Sequence, residues 1–145
     1  MNTLPEKELK FFEMDRFAKK TGIKLLDASP GMAKAELLIT EEHLNAANVA
    51  NGGAVFTLAD FAFAVASNSH GNIALGISTN IQFIRSTPCG KKLTAIAKEI
   101  SLGKKLGHYA IDVLDDENRA IALMTGIVYR KSDSIPSSSA QILNQ

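Results

Sequence analysis

Cysteine occurs once in this chain of 145 residues, at Cys89. A single thiol excludes an intramolecular disulfide and any zinc site built on several cysteines, and it fits a reducing compartment. A cytoplasmic protein is expected. An excess of charge is lacking as well, because 16 Lys and Arg stand against 15 Asp and Glu for a formal net charge of +1. No field of one sign therefore points to nucleic acid or an anionic membrane as the main partner, and an anionic ligand must be held by local groups. Long apolar runs are also missing. The longest, 54–66, is interrupted by Thr57 and Asp60 and is shorter than the roughly 20 residues a helix needs to cross a bilayer. The opening MNTLPEKELKFFEMDRF mixes acidic and apolar side chains and lacks the apolar stretch of a signal peptide. His43, His70 and His108 are scattered, with no second ligand at helical spacing from Asp60, so no metal site is expected. No segment repeats.

With 46% hydrophobic residues, the chain can bury one substantial core and is too short for two ordinary domains. Thr3 and Glu6 have the spacing of a capping box, with Pro5 between them and Phe11, Phe12, Met14, Phe17 and Ala18 following before Gly22. That pattern predicts one amphipathic helix over 4–20. Strands are predicted over 23–27 and 32–39, joined by a turn at Ala28-Ser29-Pro30-Gly31, and Thr40 to His43 could cap a short helical turn. The segment 53–68 is apolar around nearly its whole circumference and reads as a helix buried inside the protein. Four long strands are predicted over 73–85, 92–102, 105–114 and 120–130, bounded by turn residues. Residues 132–145, rich in serine, read as a flexible polar tail. The expectation is an α+β domain over 1–131, a curved antiparallel sheet around one apolar helix with an extra N-terminal helix.

Asp60 interrupts that apolar helix. A buried carboxylate costs several kcal/mol unless it is paired or protonated. It can reach solvent or a backbone N–H, or it can face a cleft and act as base or nucleophile. Just before the helix stands Asn51-Gly52-Gly53. Backbone N–H groups there have no intrahelical partner, and the dipole favours negative charge, which suits an oxyanion. The same two glycines also suit an ordinary tight turn into a helix.

These residues resemble a known family, the PaaI-like acyl-CoA thioesterases of the hotdog fold. The resemblance rests on Leu44-Asn45, Asn51-Gly52-Gly53, Phe56, Leu58-Ala59-Asp60, Ala62-Phe63-Ala64, Ser78 and Phe83-Ile84-Arg85, in the family's spacing, and covers about 20–130. It implies a dimer with one continuous sheet, often a dimer of dimers, and an active site between subunits. It further implies that the Gly52 N–H polarises the thioester carbonyl. Asp60 of the other subunit would activate water or attack directly, Asn45 would position water or carbonyl, and Ser78 would hydrogen-bond near Asp60. Gly53, Phe56, Thr79, Arg85 and Lys104 are the implied substrate contacts, the last two on coenzyme A phosphates. No cofactor is implied, since coenzyme A is part of the substrate. One departure stands out: the family's HGG is NGG here, so Asn51 replaces a histidine. Two other readings of the scaffold follow, a non-catalytic acyl-CoA binding protein and an enoyl-CoA hydratase. The second is disfavoured because His43 precedes the helix and His70 ends it.

Overall fold

The computed structural model describes residues 3–136. The elements are α1 (Glu6–Glu13), α2 (Arg16–Thr21), β1 (Lys24–Ser29), β2 (Met32–Leu38), a 3₁₀ turn (Glu41–His43), α3 (Gly52–Asn68), β3 (Asn72–Phe83), β4 (Lys92–Leu102), β5 (Leu106–Leu114) and β6 (Ala120–Ser134). All six strands form one antiparallel sheet in the order β1-β2-β4-β5-β6-β3. It wraps α3, whose Leu58, Ala59, Ala62, Val65 and Ala66 are fully buried. Alternation along β4 and β5 turns Leu93, Ala95, Ala97, Tyr109, Ile111 and Val113 onto the helix. The inner positions of β2 and β4 are mostly alanine, and this small volume lets the helix approach the sheet closely.

Three expectations about the ends are corrected. The single helix over 4–20 is two helices, because the Asp15 side chain accepts the Ala18 N–H at 3.0 Å and caps α2 anew. The capping box at Thr3 does not form. Pro5 is the N-cap of α1 without a side-chain hydrogen bond, and the Thr3 N–H donates to Ala28 O of β1. At the other end β6 continues to Ser134, and Ile135 is buried with its N–H on Gly71 O, so the strand enters the segment read as tail. The rest of that segment, 137–145, lies outside the described residues. No helix among the described residues is long and apolar enough to cross a membrane.

β3 lies at the sheet edge, and Leu75, Ile77 and Phe83 on it are each more than half exposed. A long edge strand with apolar side chains is a template for further pairing.

Candidate active site

The site begins where the chain enters α3. Asn51 is the N-cap, and its Oδ1 accepts the Gly53 N–H at 2.7 Å. The Ala54 and Val55 N–H groups donate to Asn51 O. Of the first four helix N–H groups, only that of Gly52 has no acceptor among the described residues. Phe83 packs over Gly52, and a Cβ there would come within 3.2 Å of its ring. A cavity of about 350 Å³ opens beside this contact, walled also by Arg85 and Thr87.

The loop before Asn51 is held from two sides. Asn51 N–H donates to His43 O at 2.7 Å. The His43 ring accepts the Thr40 N–H on Nδ1 and donates from Nε2 to Thr21 O at the end of α2. This bracing role was not anticipated, although the spacing from Thr40 to His43 had marked the capping turn. Asn45 serves the same loop: its Oδ1 accepts the Ala47 and Val49 N–H groups at 3.0 and 3.3 Å. That oxygen is committed to the backbone, which leaves only the amide N–H₂ for the expected contact with water or carbonyl.

Asp60 lies two turns along α3 from Gly53, on the one stripe that the sheet does not cover. Gly53 and Asp60 are exposed there, and Phe56, Thr57 and Ala64 are half-buried. No hydrogen bond reaches the Asp60 carboxylate from any described residue. Its pKa is raised above the usual 3.8, first by desolvation and then by the charge of Asp15. Neither His43 nor His70 bonds to it, since the first is occupied by Thr40 and Thr21 and the second by Glu99.

Ser78 follows a break in its strand. β3 has a bulge between Gly76 and Ser78, which shifts the alternation of faces. Gly126 faces α3, since a Cβ there would meet the Phe63 ring at 2.6 Å, and Thr79 is its cross-strand partner. Thr79 is therefore the hydroxyl on the helix side. Ser78 lies on the opposite face with Asn80, Thr125 and Ile127.

Within one chain the other candidates are divided. Asn51, Gly53 and Phe56 share a cavity with His43 and Thr57. Gly52 and Arg85 line the neighbouring one. Lys104 sits in the turn between β4 and β5, which Arg130 holds by donating to Gly103 O. That turn adjoins the start of β3 through the pairing of Leu106 and Leu75 with Tyr129. Arg85 lies ten residues beyond Leu75, roughly 33 Å along an extended chain. One chain therefore does not bring the two cations together. No group of three or more His, Cys, Asp or Glu side chains among the described residues is placed to hold a metal ion.

The Thioesterase superfamily matches residues 47–122. A protein of Archaeoglobus fulgidus with a provisional esterase name is 43% identical over 128 residues, covering 88% of this chain and 83% of its own. The acyl-coenzyme A thioesterase PaaI of Escherichia coli is 35% identical over 124 residues, covering 86% of this chain and 89% of its own. The solved structure of the Escherichia coli PaaI protein superposes with a TM-score of 0.87 at 33% identity, over 92% of this chain and 100% of that one. Sheet, wrapped helix and glycine-led N-terminus thus define a hotdog thioesterase, an enzyme of the thioester-hydrolase class. The chain belongs to the thioesterase superfamily, among its PaaI-like acyl-CoA thioesterases.

Proposed function

We propose that this protein hydrolyses the thioester of aryl- or short- to medium-chain acyl-CoA, with Asp60 as the base. The observation that carries the reading is a pair of groups open on α3: among the described residues the Gly52 N–H has no acceptor and the exposed Asp60 carboxylate no donor. Acyl transfer to water needs both. In the reaction Asp60 takes a proton from water as the oxygen attacks the carbonyl carbon. The Gly52 N–H holds the charge that develops on the carbonyl oxygen, and the thiolate of coenzyme A leaves. A raised carboxylate pKa makes a stronger base. The familial change from histidine to Asn51 is compatible with this chemistry, because the amide oxygen performs the capping that holds the loop.

The two groups stand two turns apart on one helix, and pairing of two chains would close that gap. Antiparallel β3–β3 pairing would extend the sheet, cover Leu75, Ile77 and Phe83, and set the end of one β3 beside the start of the other. The same operation would carry the partner's Gly52 toward Asp60 and the partner's Lys104 toward Arg85. A homodimer, or a dimer of such dimers, is the assembly this reading requires.

Thiol release from aryl-, short- and medium-chain acyl-CoA esters, measured for the wild type beside Asp60→Asn, tests the reading. Turnover in the wild type and its loss in the variant are expected. Full activity in Asp60→Asn would remove Asp60 from the mechanism. Saturable acyl-CoA binding by a wild type that shows no turnover would make the protein a binding module.

A further inference from the structure

α3 carries two hydrogen-bond acceptors side by side, Asp60 and Thr57, with no proton between them. We infer that Thr57 is a further catalytic residue, whose hydroxyl oxygen orients the water that Asp60 activates. The inference rests on the thioesterase reading for the reaction, and on the helix for its geometry.

The stripe of α3 that the sheet leaves uncovered presents Gly53, Phe56, Thr57, Asp60 and Ala64. Thr57 and Asp60 are its only polar side chains. Three residues apart on one helix face, their Cβ atoms stand roughly 5–6 Å from one another. Side chains on a helix lean toward its N-terminus, so the Asp60 carboxylate reaches back over the turn that holds Thr57. The two do not bond to each other. Thr57 Oγ1 donates its proton to Gly53 O at 2.7 Å, and a carboxylate ionised to act as base has no proton to give. Toward the stripe, Thr57 therefore offers oxygen lone pairs alone.

Two acceptors at this separation need a donor with two protons. A water molecule spans them with two hydrogen bonds of about 2.8 Å each. One proton points at Asp60 and is the one removed; the other points at Thr57 Oγ1 and stays on the oxygen. The free lone pair of the water then faces the open side of the stripe, from which the thioester carbon approaches. As the water oxygen bonds to that carbon, the first proton passes to the Asp60 carboxylate, the C–S bond breaks, and coenzyme A leaves as its thiolate. Thr57 exchanges no proton. Its own O–H remains on Gly53 O, which locks the hydroxyl rotor and fixes the place of the acceptor. A carboxylate alone would hold one end of the water and leave it free to turn, and the second acceptor removes that freedom before the attack. Both groups belong to one helix, so the arrangement is present in each chain however two chains pair.

The same bond to the carbonyl four residues back occurs in helices with no catalytic role, and the experiment separates the two. Thr57→Val keeps the shape of the side chain and removes the oxygen, whereas Thr57→Ser keeps both the oxygen and its bond to Gly53 O. Hydrolysis of aryl-, short- and medium-chain acyl-CoA esters would be measured with hydroxylamine added as a competing acyl acceptor. Thr57→Val is expected to lower kcat by about tenfold or more with KM unchanged, and to raise the ratio of hydroxamate to free acid. Its melting temperature should hold or rise, since such a back-bond does not strengthen a helix. Thr57→Ser should restore the wild-type rate and ratio, and Thr57→Ala should repeat the loss if valine packs badly. Wild-type kcat in Thr57→Val would overturn the inference and leave the role of Asp60 intact. A loss in which hydroxamate and acid fall together would mark a structural role and overturn it as well. Full activity in Asp60→Asn, or a wild type without turnover, would instead overturn the thioesterase reading on which the inference stands.

Discussion

The two ends of α3 treat polar groups in opposite ways. At the C-terminal end they are satisfied. Asn68 makes three backbone hydrogen bonds, Ser69 Oγ donates to Ala66 O and accepts the Gly31 N–H, and Glu99 accepts from both His70 Nε2 and Tyr109 OH. Burial, and then that last contact, raise the Tyr109 pKa. Toward the N-terminal end, the Gly52 N–H and the Asp60 carboxylate lack partners among the described residues. A buried polar group is normally satisfied by the fold that buries it. The C-terminal network joins α3 to β4, β5 and the β1–β2 turn and is structural, whereas the Gly52 N–H and the exposed Asp60 carboxylate are left open on the helix.

The largest break in this comparison is Asp60→Asn. It should lower kcat by about 10²–10⁴-fold while the melting temperature holds or rises, measured by thiol release beside thermal unfolding. Asn68→Ala should do the reverse. It removes the side-chain acceptor of the Ala74 N–H and one donor each from Ala64 O and Ala74 O, and it should cost about 3 kcal/mol in denaturant unfolding with turnover per folded molecule retained.

Glu8 is the exception at the satisfied end and sharpens the contrast. It is 5% exposed, its Oε2 has no partner, and a Cβ on Gly71 would come within 3.2 Å of its Oε1. Desolvation raises its pKa above 4.5 against the opposing charges of Lys7 and His70. A carboxyl that holds its proton more tightly folded than unfolded costs stability when ionised, and that cost is absent below the unfolded value. Glu8→Gln should therefore raise the melting temperature at neutral pH by about 3 °C, with the gain vanishing near pH 4.

The smallest effect concerns the acidic limb of kcat/KM. A base must be ionised, so activity is present above the raised pKa of Asp60 and lost below it. Asp15→Asn keeps a good N-cap on α2 and removes the second cause of the shift. The limb should move to lower pH with the maximal rate little changed. A limb that stays in place would deny the coupling between Asp15 and Asp60.

Much of this was legible in the residues themselves. The spacing of Asn51, Gly52 and Asp60 marked the helix, its cap and its one carboxylate, because those relations span a few residues of one helix. Alternation marked the strands to within four residues at either end. The break at Asp15 was missed because Phe11, Phe12, Met14, Phe17 and Ala18 keep an apolar pattern across it, and a cap inside such a pattern is invisible until its hydrogen bond forms. The faces of β3 were hidden for a related reason. A bulge leaves composition unchanged and reverses which face each later side chain occupies.

The sequence by itself determined the apolar helix, the long strands around it, and the glycine-led N-terminus with a carboxylate two turns on. These are consequences of hydrophobic period and local backbone chemistry, which act between near neighbours. Only the tertiary structure decided that Thr79 rather than Ser78 faces the helix, that His43 braces the Asn51 loop, that Asn45 is spent on its own backbone, and that β3 is left at the edge. Those outcomes depend on strand register and on contacts between residues far apart in the chain, where one residue of slip moves a side chain to the other side of the sheet.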